Sequence, residues 1–276
     1  MRLDPFDVRG NAGFLANARR TLLPLPIVDR PDVPPRDVLP PFEPRPAPGL
    51  AGKRVGVSAT AAGAESVALV GMARAFEEAD LRPAAIEAAA ESAIWGAMWA
   101  GGVSADEMAQ RALAWRPQDV LDVQWAGTPR LAIAALRGFA GLATGRALEQ
   151  LFDRGLWHMT AGRTEIDFHV LARHLDGGAT ERLGTTTTPD LTLGELVRIA
   201  AARPRRSAAV RVEGRFYVGA RATAAPPHDR GLDHVFGPPL ESGGDGFYGV
   251  FLDRRRWPDL IRAGHSATAE KLARYA

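Results

Sequence analysis

Few residues of this chain combine a reactive type with an informative spacing. There is no cysteine among the 276 residues, which excludes a thiol nucleophile, a disulfide framework and a thiolate-bound metal. His228-Asp229 and Asp233-His234 lie close together in a stretch rich in Pro and Gly. An imidazole beside a carboxylate can bind a metal or move a proton, and the same residues equally suit a solvated loop. Arg203, Arg205 and Arg206 surround Pro204. Guanidinium groups clustered in this way can meet a phosphate or a carboxylate, or simply form a basic turn. Arg254-Arg255-Arg256-Trp257 precedes an amphipathic stretch, which fits either peripheral contact with an anionic membrane surface or surface charge beside a packed indole. Trp95 and Trp99 are one helical turn apart and read as core.

The bulk numbers restrict the setting. A net charge of +2 gives nucleic-acid binding little support. Hydrophobic content of 46% with 24% charged residues is that of a soluble globular protein. The first residues lack the apolar run of a signal peptide, so the expected location is cytoplasmic, with at most peripheral membrane contact. Ten of the 21 prolines fall between Pro24 and Pro48. Proline fixes φ and removes a donor, so residues 1–52 are expected to form an extended arm, lying on its own domain or reaching a partner. Residues 53–276 are expected to form one α/β domain.

That domain must position whatever chemistry there is. Arg54 to Ser58 reads as a short buried strand, followed by a small-residue loop, Ala59-Thr60-Ala61-Ala62-Gly63-Ala64, and a helix near 65–80 with Leu69, Met72, Ala73 and Phe76 on one face. A second strand at 83–88 reaches a tight turn at 89–91 and then a helix at 92–100, stopped by Gly101-Gly102. Ser104 and Glu107 have capping-box spacing and open a helix to about Trp115. Such alternation argues for a parallel sheet covered by helices. Residues 129–156 are mostly helical in pattern. Strands are expected at 165–173 and 180–183 around the Asp176-Gly177-Gly178 turn, at 210–218 around Glu213-Gly214, and at 247–252. A helix is expected at 189–202 and another from about Pro258, with a loop-rich stretch at 226–246.

The order and spacing of Val70 to Ala79, Ile86 to Glu107, and Thr192 to Pro204 followed by Val210 to Val218 resemble the patatin-like phospholipases. The resemblance covers about residues 53–227 and the C-terminal helix. It implies a three-layer α/β/α fold, with a mostly parallel central sheet and helices on both faces. It also implies lipid acyl hydrolysis by a Ser-Asp dyad. Members carry a Gly-rich oxyanion loop after the first strand, a Gly-x-Ser-x-Gly turn after the second, and a late Asp-Gly pair.

That chemistry needs an oxygen nucleophile on a strained strand-to-helix turn, a base to take its proton and amides to hold the oxyanion. Laid over this chain, the nucleophile position falls on Ala90, with both flanking glycines changed. The Asp position falls on Gly219, and the oxyanion loop on Ala59 to Ala64, where only Gly63 remains of the glycines. A methyl group cannot attack a carbonyl, and glycine cannot take a proton. Ala90 alone would also suit an engineered Ser-to-Ala variant, but change at three separate parts favours a natural pseudoenzyme. Two literal matches compete. Ser92 is either a helix N-cap or core residue, or a replacement nucleophile. Asp176 is either a turn residue or a relocated base, as is Asp229 in its loop.

The expectation is therefore a catalytically silent patatin-like protein that needs no cofactor and no metal. Its implied partner is an active patatin-like paralogue or a second copy, with Arg203, Arg205 and Arg206 as cleft or partner contacts. An active acyl hydrolase with a relocated dyad is one alternative. The other is a module that holds a lipid or acyl ligand in the vacated cleft.

Overall fold

The computed structural model describes residues 37–115, 144–156, 158–202, 207–220, 231–239 and 254–276. The expected strand at 247–252 and most of the helical pattern at 129–156 lie outside them. Along the chain run β1 (Val55–Ala59), α1 (Ala68–Glu78), β2 (Ala85–Ala88), α2 (Ser92–Ala100), α3 (Ala105–Ala114) and α4 (Arg146–Gly155). They are followed by β3 (Asp167–His174), β4 (Thr180–Gly184), α5 (Leu193–Ala201), β5 (Val210–Val212), β6 (Arg215–Gly219), β7 (His234–Phe236) and α6 (Trp257–Leu272).

The α/β class is as expected, with one central sheet and helices packed on it. The strand order is β5-β6-β3-β2-β1-β7, with β4 also paired to β3. β7, β1, β2 and β3 are mutually parallel. The ladders β3–β4, β3–β6 and β5–β6 are antiparallel, so a parallel block continues into an antiparallel edge. The reason is local. Asp176-Gly177-Gly178 and Glu213-Gly214 close tight hairpins, and Glu213 and Gly214 both have positive φ (47° and 85°), the backbone that a two-residue hairpin loop needs.

Parallel pairing places Val57, Ile86, Phe168 and Phe236 in one lateral row, all at most 6% exposed. α1 meets this row through Phe76, edge-on to Phe236 with ring centres 5.2 Å apart. α2 meets it through Gly96, where an added Cβ would stand 3.2 Å from both Ile86 and Phe168. α5 reaches the same face near Ala172 and Gly219. Among the described residues α1, α2 and α5 thus lie on this face of the sheet. The opposite face carries buried polar groups. Glu87, 2% exposed, accepts a 2.5 Å hydrogen bond from Arg182 Nε, and His169, fully buried, bonds Thr186. A buried carboxylate needs such a partner.

α6 crosses α1 as an outer layer, and two glycines set the approach. A Cβ on Gly71 would lie 1.9 Å from the Ile261 carbonyl, and one on Gly264 would lie 2.1 Å from the Ala68 carbonyl. Residues 37–52, the described end of the expected arm, lie against the domain. Val38, Leu39, Ala47 and Leu50 sit in the main core cluster at 0–6% exposure. Arg74 holds the strap. It donates to the Pro40 carbonyl and, through two nitrogens, to Asp106, and it lies over the Phe42 ring. Arg262 donates to the Asp37 carbonyl. Among the described residues no helix is long and apolar enough to cross a membrane.

Gly71→Ala tests the crossing. Alanine gains about 1 kcal/mol of helix propensity over glycine, but overpacking against backbone costs about 1–3 kcal/mol, and at 1.9 Å the clash wins. The urea midpoint should fall, and an unchanged or raised midpoint would contradict the packing described.

Candidate functional site

The strand-to-helix turn is built from three residues. β2 ends at Ala88 and α2 begins at Ser92. To reverse within that span, the backbone enters the left-handed region at Ala90, with φ +53°. For a residue with a Cβ this costs about 1–2 kcal/mol. The surroundings hold it there: Ala89 is fully buried, Ala90 is 7% exposed and Ser92 is 1% exposed. Position 90 therefore has the strained turn geometry that presents a nucleophile in an acyl hydrolase, and its side chain is a methyl group.

The loop after β1 is tied to this turn. The Ala89 N–H donates to the Ala59 carbonyl at 2.9 Å. The Ser92 hydroxyl donates to the Ala61 carbonyl at 2.5 Å. The Gly63 N–H, on a residue with φ +74°, donates to Glu91 Oε2 at 3.1 Å. Glu91 is fully buried. Thr60 and Ala62 are half-buried, while Ala61, Gly63 and Ala64 are buried. Ser92 is thus the first residue of α2 and makes no capping bond; of the two structural roles expected for it, N-cap or core, it has the second. Its hydroxyl proton goes to a backbone carbonyl, not to a base.

The sheet brings the end of β6 to the same place. β2 pairs with β3 as far as Val170, and β6 takes over that edge at Ala172, opposite Gly219. The Ala220 N–H donates to the Leu171 carbonyl at 3.1 Å, and Ala89, Leu171 and Ala220 form a small buried cluster. Gly219 is a steric necessity. An added Cβ would stand 2.0 Å from the Ala200 carbonyl of α5, and the Gly219 N–H donates to Ala202. An Asp at 219 does not fit this backbone. Its neighbours Val218 and Ala220 offer no carboxylate either, and Tyr217 directs its hydroxyl to Glu181.

Other sequence candidates are elsewhere. Asp176 sits in the β3–β4 turn with its side chain 71% exposed, 3.5 Å from His174, and no hydrogen bond joins it to Ser92 among the described residues. Asp233 accepts the Arg54 N–H, and His234 in β7 packs its ring on Tyr275, so this pair serves the β1–β7 edge. Asp229, His228, Arg203, Arg205 and Arg206 lie outside the described residues. Trp95 and Trp99 are core, Trp95 against Trp115 and Trp257, and Trp99 against Phe76. No group of three potential metal ligands occurs among the described residues. Sequence reasoning passed over Glu91. A signal was present, since it is the single charged residue between Ala88 and Ala105.

Fold and site define an α/β protein organised around a strand–turn–helix elbow whose tip carries a methyl group. Among solved structures it is similar to VipD from Legionella pneumophila, at 13% identity and a TM-score of 0.44, over 67% of this chain and 49% of that one. It is also similar to the type III effector protein ExoU, at 14% identity and a TM-score of 0.46, over 85% of this chain and 54% of that one. The chain spans about half the length of each. No protein-family model and no curated protein matches it.

The strain at position 90 is measurable. Ala90→Gly loses a buried methyl, worth about 0.8 kcal/mol, and relieves about 1–2 kcal/mol of left-handed strain, so its unfolding free energy should stay within about 1 kcal/mol of the parent. Ala93→Gly loses the same methyl inside a right-handed helix and should cost about 2 kcal/mol. Equal losses at the two positions would show that Ala90 is unstrained.

Proposed function

We propose that this chain is a catalytically silent protein of patatin-like fold, acting as a non-catalytic subunit or scaffold that pairs with an active patatin-like hydrolase of lipid or ester metabolism, or with a second copy of itself. The observation that carries the silence is Ala90. The backbone at this position keeps the left-handed turn of a nucleophile while the side chain has no atom that can attack. Gly219, into which no carboxylate fits, and Ser92, whose proton is committed to Ala61, support the same conclusion and leave a relocated Ser92–Asp176 dyad without geometric support. The pairing rests on the resemblance alone.

An acyl ligand held without cleavage is a second reading, and one observation favours it. A cavity of about 300 Å³ is walled by Met98, Trp115, Phe152 and Leu156, with Arg111 and Arg154 beside it. It is separate from the elbow, so the vacated cleft itself is not needed. Native mass spectrometry of gently purified protein should then show a bound lipid, and an empty chain would remove this reading.

The silence is tested on the purified full chain with p-nitrophenyl esters, phospholipids and a fluorophosphonate. The expected result is no turnover above buffer and no adduct in the intact mass. Ala90→Ser should remain unlabelled, because the turn would regain an oxygen but no base. Turnover by the parent chain that disappears in Ser92→Ala would overturn the proposal.

A further inference from the structure

The cavity walled by Met98, Trp115, Phe152 and Leu156 has a chemistry of its own. One side of it is stiff. Trp115 stacks on Trp95, with ring centres 5.7 Å apart and planes at 21°, and meets Phe152 at 6.2 Å. Met98, from α2, adds an unbranched side chain that adapts its shape. At about 300 Å³ the space is at the small end of ligand pockets, which run to about 1,000 Å³. It has room for one short chain and not for a two-chain lipid. Two guanidinium groups stand beside it, and they differ. Arg111 is committed. Its Nε and Nη2 donate to Glu107 Oε1 at 3.2 and 2.6 Å, and its Nη1 donates to the Gly155 carbonyl at 3.5 Å. Arg154, in the last turn of α4, is exposed, and its side chain has no ion pair or hydrogen bond among the described residues. The nearby acids are already taken: Glu107 by Arg111, Asp153 by His158 at 3.3 Å and Glu149 by Arg198 at 2.7 Å. A free guanidinium at the edge of an apolar hollow complements an anion with an apolar body.

We infer that this cavity takes a compact, single-chain organic carboxylate, with its apolar body against Met98, Trp115 and Phe152 and its carboxylate on Arg154. The inference rests on the reading of this cavity as a ligand site, and it adds what the ligand must be. Burial of the chain supplies the affinity. The planar fork of Arg154 selects a two-oxygen anionic head over a hydroxyl or an ester. Because Arg154 is exposed, the head group stays in contact with water, and the large desolvation cost of a buried ion pair does not arise.

The full chain is titrated calorimetrically with sodium octanoate, and with octan-1-ol as the uncharged probe. Octanoate should bind at one site per chain and more tightly than octan-1-ol. Arg154→Gln should weaken octanoate binding about tenfold or more and leave octan-1-ol unchanged. Leu151→Trp, at a half-buried wall position, should fill the hollow and abolish binding of both. No octanoate binding by the parent would overturn the inference. So would an Arg154→Gln variant that binds octanoate as the parent does, the result expected if Arg154 serves only the C-terminal end of α4. Chain that is purified empty and then takes up octanoate would remove the reading of a lipid carried through purification and keep this inference. A co-purified lipid that octanoate does not displace would do the reverse.

Discussion

The chain leaves a buried strand and enters a buried helix within three residues by putting Ala90 in the left-handed region. Much follows from this single constraint. It sets the direction of α2, whose Gly96 then lies flat on Ile86 and Phe168. It turns the Glu91 and Ser92 side chains toward the loop after β1, and it leaves Ala89 on the side of the sheet where Leu171 and Ala220 close over it. The turn is kept although the residue best suited to it, glycine, is absent. Strain of this kind persists where the surroundings over-determine it, and here they do so through bonds on both flanks.

Elements with strong local signals were legible in the sequence. The helix over 92–100 has the expected limits, because the apolar run is bounded by a turn and by Gly101-Gly102. The hairpins at Asp176 and at Glu213 were legible for the same reason. β7 was not. Three residues in a Pro- and Gly-rich stretch carry no periodicity, and His234 to Phe236 become a strand only because β1 offers a parallel edge. The helix expected from residue 65 begins as a 3₁₀ turn over Gly63–Val67 and becomes α-helical at Ala68, since the loop's ties to Glu91 hold its first turn tight. At the site, the tight turn at 89–91 could be found by spacing, while the partners of Ser92 and Glu91 could not. Those partners lie 31 and 28 residues away along the chain. Ser104 gives half of its expected capping box. Its hydroxyl accepts from Glu107, but the Glu107 carboxylate turns to Arg111.

Charge is handled differently on the two sides of the sheet. Near the strap, Arg74 is nearly buried yet sits among Glu77, Glu78 and Asp106, so its charge is matched by several partial contacts. Beneath the sheet, Glu87 accepts a short bond from Arg182 across the intervening strand β3. Loss of one partner from such a buried pair strands the other charge, whereas replacing both with apolar groups is often neutral. The first arrangement tolerates single changes better than the second.

The strap has a consequence for the order in which the molecule can form. Asp37 and Arg262 meet across 225 residues of chain, and Val38 and Leu39 enter a core that α6 helps to close. During synthesis, the strap emerges long before the helix that completes its seat. Until α6 is made, the apolar face of α1 and the side chains of the strap share an unfinished pocket. Contacts of such separation are slow to form, because loop closure precedes any gain. The domain therefore closes like a ring, with its first described residues as the last to be locked.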